Sequence, residues 1–370
     1  MSLAIILIAA LCLAYANGAN DNFKGVATLL GSGTTSYRKA LWWATATTLL
    51  GSLAAFFFAQ SLLKSFSGRG LVDDQLVASA DYGAAVAMGA GLTVLFATRI
   101  GMPISTTHGL IGALIGAGWA AGSAIDLGKL GSGFFLPLLV SPLLAATATA
   151  ICYSLFRQVR RRFAIAEETC LCAGREIVEI APAIGDVAMA ERIEHLSVTL
   201  GTDVTCQRRY HGRVLGLQAG FLLDHMHYLS AGIVSFARGL NDTPKIAAVL
   251  LLVPALGIYA NIALVGFAIA AGGLIGARRV AETMSNKITT MNHGQGFTSN
   301  LMTGVIVIAA SRFGMPVSTT HVSCGSIFGI GSVTRQGNPR VIATILAAWA
   351  TTLPLGATLG AASYWIVHGL

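Results

Sequence analysis

Long apolar runs recur along the whole chain, and they predict a protein that crosses a membrane many times. A helix needs about 20 apolar residues to cross a hydrocarbon core about 30 Å thick. In two places, a pair of short apolar segments is interrupted by Gly-Met-Pro, at 101–103 and at 314–316. Short, interrupted hydrophobic segments in matching places indicate the substrate site of a transporter. The apolar segments lie near 2–16, 41–62, 79–98, 104–121, 134–156, 214–236, 246–277, 297–311, 316–333 and 341–367.

The composition excludes a soluble globular domain. Charged residues make up 11% of the chain and hydrophobic residues 54%, whereas soluble domains carry about 25% charged residues. Residues 157–213 hold 8 of the 16 acidic side chains, so few acids remain in the apolar segments. A carboxylate inside a membrane helix costs about 2.5–3.5 kcal/mol on insertion, and those few acids are therefore candidates for function. We interpret the net charge of +8 as a signal of membrane orientation and expect no affinity for nucleic acid.

The chain contains two internal matches. ANGANDNFKGVATL at 16–29 matches ARGLNDTPKIAAVL at 237–250 at seven of fourteen positions. RIGMPISTTH at 99–108 matches RFGMPVSTTH at 312–321 at eight of ten positions. The matches keep their order and nearly the same spacing, with offsets of 221 and 213 residues. Such self-similarity indicates that the chain consists of two related halves.

We therefore expect two transmembrane repeats, 1–156 and 214–370, joined by a charged linker at 157–213. Arginines at both ends of the linker place it in the cytoplasm, and its pattern suggests short amphipathic helices. Counting crossings from the linker puts the N- and C-termini outside and gives the two halves opposite orientations. Inverted repeats around a midplane site are typical of secondary transporters. The predicted fold class is an all-α polytopic membrane protein with two inverted repeats, broken helices and two re-entrant helical hairpins, with its six cysteines as free thiols.

A Gly-x-Asn-Asp motif in each half predicts a break in a membrane helix. Asn and Asp compete with the helical backbone for hydrogen bonds, and a break exposes carbonyls and helix ends that bind ions. Asp21 and Asp242 would then be cation ligands or proton carriers, and metal ligands only if the ion is Na⁺. The alternative is that each carboxylate pairs with the lysine three residues later, Lys24 or Lys245.

The motif Pro-x-Ser-Thr-Thr-His follows each Gly-Met interruption. Proline suits the first turn of a helix, where free N–H groups and the positive end of the helix dipole attract anions. Hydroxyl groups in that turn would complete a cradle for an anion with several oxygens, although N-capping alone is the alternative. His108 and His321 end the motifs, and either carry protons or hold the hairpins by hydrogen bonds. The candidate anion ligands are Ser105, Thr106, Thr107, Ser318, Thr319 and Thr320.

Four further charged residues are candidates because of where they fall in the repeat. Arg99 and Arg312 precede the hairpin tips, where they either bind an oxyanion or cap the preceding helix. Glu282 aligns weakly with Lys64 of the other half, and both are candidates for ion coupling. The sequence contains neither a Walker A loop nor an HExxH pair, which disfavours ATP-driven transport and enzymatic chemistry on lipid phosphates.

The duplicated GAND/GLND and GMPISTTH/GMPVSTTH motifs resemble those of the inorganic phosphate transporter family, in both halves but not in the linker. The resemblance implies a symporter, not an enzyme, that carries phosphate with a cation by alternating access and needs no cofactor. It also implies a homodimer in the lipid bilayer of the plasma membrane. By the same resemblance, Asn20 and Asn241 bind phosphate beside the two aspartates, and the six hydroxyl groups hold it.

The chain departs from the family pattern at positions that affect coupling. Lys24 stands where the common GANDVAN motif has Asn, and Lys245 stands at the matching place. The family often carries Glu in both halves near Glu282, where the first half here has Lys64. A fixed ammonium group can replace a bound sodium ion, so the coupling ion is either Na⁺ or H⁺. Two alternatives stay open: a sulfate or related oxyanion permease of the same fold, and an uncoupled anion channel.

Overall fold

The computed structural model describes residues 2–58, 60–180, 191–209, 214–252 and 257–369. The chain forms two compact units. One contains Met1–Tyr153 together with His227–Leu370, and the other contains Ser154–Met226. The first unit holds most of the apolar helical segments, and the second spans the charged linker.

The first half of the chain is helical between short turns. A π-helical segment, Lys129–Phe135, leads directly into the last of its helices. The helices are α1 (Ser2–Asp21), α2 (Ala27–Gly31), α3 (Tyr37–Phe58), α4 (Gln60–Ser65), α5 (Asp74–Val77), α6 (Ala80–Arg99), α7 (Thr106–Ala120) and α8 (Leu136–Arg162).

The linker unit folds around a small antiparallel sheet in the order β2-β1-β3. Its elements are β1 (Thr169–Ile180), β2 (Glu191–Thr202), α9 (Asp203–Arg209) and β3 (Val214–Gln218). The helices expected at EIVEI and MAERIEHL are wrong for the described residues, because 176–180 lies in β1 and 191–196 in β2, where pairing between the two strands holds the backbone extended. The one helix that lies wholly within the described linker is the short α9. The predicted end of the linker, 210–213, lies outside the described residues.

A disulfide joins Cys172 of β1 to Cys206 of α9. The expectation of six free thiols is therefore wrong for this pair. The sequence spacing could not reveal it, because the two residues are 34 positions apart and meet only when the sheet forms. Cys12, Cys152, Cys170 and Cys324 are not disulfide-bonded.

The second half is also helical. Its helices are α10 (Ala219–Ala247), α11 (Ile258–Gly276), α12 (Arg278–Glu282), α13 (His293–Arg312), α14 (Thr319–Thr334) and α15 (Pro339–His368). Within the described ranges, α1, α3, α6, α8, α11 and α15 belong to six segments that are long and apolar enough to span a membrane. Each of the ten predicted apolar segments thus contains a helix, and the polytopic helical class is confirmed.

Both predicted hairpins are present, as α6–α7 and α13–α14. Each turns at a glycine with positive φ, +73° at Gly101 and +67° at Gly314, where side chains are strongly disfavoured. Ser105 and Ser318 then cap α7 and α14 by accepting hydrogen bonds from backbone N–H groups three residues later. The hairpins therefore follow from local sequence, while the opposite orientation of the two halves stays a prediction.

The two Gly-x-Asn-Asp motifs differ in backbone structure. The α-helix α1 ends at Asp21 and continues as a 3₁₀ turn, whereas α10 passes through the second motif and becomes 3₁₀ only after Ala247. The glycines serve helix packing instead. A Cβ on Gly18 would lie 1.9 Å from a carbonyl oxygen of α11, and one on Gly239 would lie 2.1 Å from a carbonyl oxygen of α3. Small residues allow such close contact between membrane helices.

Candidate functional site

Few charged side chains are buried among the described residues, and all of them belong to the two matching motifs. Each is at most 3% exposed. Burying a charge is costly unless it is paired, so the protein gathers these groups in one cluster. The buried Asp, Glu, Lys and Arg residues of the described part are Asp21, Lys24, Arg238, Asp242 and Lys245.

Lys24 connects the first motif to both hairpin tips. Its ammonium group donates to a carboxylate oxygen of Asp21 and to the amide oxygen of Asn20 at 3.1 Å. It also donates to the carbonyl of Ile104 at 2.8 Å and to the hydroxyl of Thr320 at 2.5 Å. Ile104 lies at the first hairpin tip and Thr320 at the second, 296 residues from the lysine. The lysine thus holds three parts of the chain together.

Lys245 makes the equivalent contacts from the second motif. Its ammonium group donates to the carbonyl of Val317 at 2.7 Å, to the hydroxyl of Thr107 at 3.0 Å, and to a carboxylate oxygen of Asp242 at 3.5 Å. Each lysine therefore meets a carboxylate, a backbone carbonyl and a hydroxyl, with the hydroxyl coming from the opposite hairpin. Both pairings with the neighbouring aspartate occur as ion pairs.

The two motif asparagines tie the motifs to the hairpins. Asn20 donates to the hydroxyl of Thr98 and to the carbonyl of Met102, both at 3.0 Å. Asn241 accepts from the hydroxyl of Ser311 at 3.3 Å, and Ser311 is the repeat equivalent of Thr98. The amides predicted to bind phosphate are thus engaged with the protein, in positions that fix the hairpin tips beside the carboxylates.

Asn17 lies between the two aspartates. Its amide nitrogen is 3.2 Å from an oxygen of Asp21, 3.3 Å from an oxygen of Asp242 and 3.1 Å from the hydroxyl of Thr106. Thr106 and Thr319 also donate to these carboxylates, at 3.4 and 3.5 Å. The motifs do not single out Asn17, although its position four residues before Asp21 places both on one helix face.

The six predicted hydroxyls divide into two groups. Ser105 and Ser318 are N-caps, which matches the capping alternative. The four threonines at the starts of α7 and α14 contact the charged cluster. His108 and His321 follow them, with ring centroids 4.6 Å apart, and His321 also contacts the carbonyl of Leu138 at 3.2 Å.

Four predicted residues lie outside the cluster. Arg99 and Arg312 are exposed in the last turns of α6 and α13, where a cation is favoured by the helix dipole. Their capping interpretation fits this position, and the structure does not bring them to the buried site. Lys64 is exposed, and Glu282 forms an exposed pair with Arg278 at 3.5 Å.

Arg238 completes the cluster and is absent from the predicted set. It precedes Asp242 by one helical turn and matches Asn17 in the repeat. A signal was available, because an arginine within an apolar segment marks a functional site by default. A search for residues that are identical in the two halves misses Arg238, because its equivalent in the first half is Asn17.

Two interrupted helical hairpins that meet at a buried ionic centre in an apolar helical protein are typical of the site of a membrane transporter. Residues 17–360 match the model of the Phosphate transporter family, and the chain belongs to that family. The expectation drawn from the duplicated motifs is thereby confirmed.

Relatives and a solved structure agree with this family. Inorganic phosphate transporter 2-1, chloroplastic, of Arabidopsis thaliana is 26% identical, over 96% of this chain and 70% of its own length. A Rhizobium meliloti protein with the name probable low-affinity inorganic phosphate transporter is 28% identical, over 97% and 95% of the two chains. A solved structure titled the sodium-dependent phosphate transporter shares the fold, with a TM-score of 0.74 at 20% identity and coverage of 100% and 99%.

Proposed function

We propose that this protein imports inorganic phosphate together with a coupled cation by alternating access. The observation that carries the proposal is the meeting of two helix N-termini, with their threonine hydroxyls, at a centre of buried charge. First-turn N–H groups and hydroxyls suit an anion with several oxygens. Thr106, Thr107, Thr319 and Thr320 are the proposed phosphate ligands, and Asp21 and Asp242 are the proposed coupling residues.

The contacts of the two lysines favour protons over sodium as the coupling ion. A carboxylate, a carbonyl and a hydroxyl form the kind of oxygen set that binds a hard cation. In this chain the ammonium groups of Lys24 and Lys245 donate hydrogen bonds to the oxygens of both such sets, one in each half. Each tethered charge performs the electrostatic role of a bound ion, so a freely exchanging sodium ion has no equivalent place there.

Uptake of labelled phosphate into proteoliposomes tests this function. An imposed proton gradient without sodium should drive accumulation, and a protonophore should abolish it. Asp21→Asn and Thr107→Ala should each abolish uptake, whereas the exposed controls Asp126→Asn and Thr351→Ala should keep it. Full uptake in both site variants contradicts the site, and uptake that follows only a sodium gradient contradicts proton coupling.

Sulfate is the second candidate substrate, because a tetrahedral dianion would meet the same hydroxyls and charges. Excess unlabelled sulfate should compete with phosphate in the uptake assay if sulfate is carried. An uncoupled channel predicts that voltage alone drives accumulation, with no effect of a proton gradient. We further propose a homodimer in the plasma membrane, which the family resemblance implies. The basic residues favour a cytoplasmic linker with both termini outside, whereas the disulfide between Cys172 and Cys206 is typical of an oxidising compartment. Labelling of the linker from either side of the membrane decides between the two orientations.

A further inference from the structure

Arg238 is a buried guanidinium group with no hydrogen-bond partner within the part of the chain that the structure describes. The residue is 1% exposed, and its Nε, Nη1 and Nη2 atoms all lack an acceptor among the described residues. A buried charge with unmet donors is strongly unfavourable in a folded protein. The other two buried cations differ, because each lysine donates to several oxygens.

The helix geometry points Arg238 towards the ionic cluster. Residues four apart share a helix face, so Arg238 lies on the same face as Asp242. Gly239 and Thr243 lie on the neighbouring face and contact α3. The charge of Arg238 interacts electrostatically with both Asp21 and Asp242, although it bonds to neither.

The charges of the cluster do not cancel. Three buried cations face two buried carboxylates, and each carboxylate already pairs with its own lysine. The remaining positive charge is that of Arg238. Buried charges in proteins are paired or neutralised, so an anion bound beside this guanidinium would stabilise the cluster.

We propose that Arg238 binds the transported oxyanion directly through its guanidinium group. The planar fork donates two parallel hydrogen bonds to a phosphate, and the threonine hydroxyls of the hairpins complete the ligand set. Asn17, the equivalent residue of the first half, is neutral, so the anion receives its charged contact from the second half. This inference rests on the proposed function, and it identifies the residue that selects for an anion.

Thermal unfolding of the purified protein with and without inorganic phosphate distinguishes a ligand role from a structural role. A ligand that binds only the folded state raises the unfolding midpoint. Arg238→Met should unfold at the same or a higher temperature than wild type without phosphate, because it removes unmet donors. The same variant should lose the upward shift that phosphate gives wild type.

Uptake kinetics provide the second readout. Losing hydrogen bonds to a charged group corresponds to a KM increase of about 10- to 150-fold. Arg238→Lys, which keeps the charge but loses the fork, should have an intermediate KM. The control Arg312→Met removes the exposed arginine at the second hairpin tip and should behave as wild type in both assays.

Two results would overturn the inference. One is an Arg238→Met variant that keeps the wild-type phosphate shift and KM. The other is a variant with much lower stability without phosphate but an unchanged phosphate shift, which would assign Arg238 a structural role. If Arg238→Met does not fold, an unchanged KM in Arg238→Lys also overturns it. Failure of the proposed function is distinct, because wild type itself would then show neither uptake nor a phosphate shift.

Discussion

The pair of Lys24 and Asp21 allows a quantitative prediction about stability. Both side chains are 1% exposed and form an ion pair. Lys24→Met removes the ammonium and leaves the carboxylate buried. The carbonyl of Ile104 keeps the hydroxyl of Thr320 as a donor at 2.7 Å. The amide oxygen of Asn20 keeps the backbone N–H of Ile104 at 3.2 Å.

The loss therefore concentrates on the carboxylate of Asp21. Removing one partner of a buried ion pair costs about 3–5 kcal/mol, and we expect this loss for Lys24→Met. The double variant Asp21→Asn/Lys24→Met removes the stranded charge and should recover most of the loss. A remainder below about 1.5 kcal/mol is expected from the altered side-chain shape.

Reversible unfolding of the detergent-solubilised protein measures this coupling in a double-mutant cycle of wild type, Lys24→Met, Asp21→Asn and the double variant. The exposed Lys287→Met is the matched control and should change stability by less than about 0.5 kcal/mol. Additive losses in the double variant, or a Lys24→Met variant as stable as the control, would refute the proposed charge pairing.

Three further predictions concern packing, ion selectivity and the linker. Gly18→Val should destabilise the protein by about 1–3 kcal/mol, because even a Cβ at this position would lie 1.9 Å from a carbonyl oxygen of α11. The control Gly131→Ala places its Cβ in open space and should not change stability in the same unfolding assay. Lys24→Asn removes the ammonium group and leaves its oxygen ligands free for a sodium ion, so phosphate uptake by this variant should depend on sodium, whereas uptake by the exposed control Lys287→Met should not. Uptake by Lys24→Asn that does not depend on sodium would contradict the proposal that the lysine replaces a bound sodium ion. Non-reducing peptide mass spectrometry of the isolated protein should recover Cys172 linked to Cys206, and two freely alkylated thiols would contradict this bond.

Periodic and local signals determined most of the membrane architecture. Apolar length predicts each membrane helix, because the bilayer thickness sets it. The two hairpins are encoded just as locally, by a glycine with positive φ followed by a capping serine. The duplicated motifs also identify both aspartates and all four threonines that meet at the buried centre.

Linker structure and helix continuity were less predictable. The strands of the linker are stabilised by pairing with distant residues, such as Thr169 with Thr202. The helix α10 continues through its Asn-Asp pair because packing against α3 overrides the local preference of these residues. Neither result can be read from a short window of sequence.

Only the tertiary structure decided which charges belong to the site. The hydroxyl of Thr320 meets Lys24 from 296 residues away, and the equally conspicuous Arg99 and Arg312 are exposed. Arg238 differs from them by its burial and its missing partners. The sequence supplies the ionisable groups and their repeat, but the cost of burying a charge depends on every neighbour, and those neighbours are brought together only by folding.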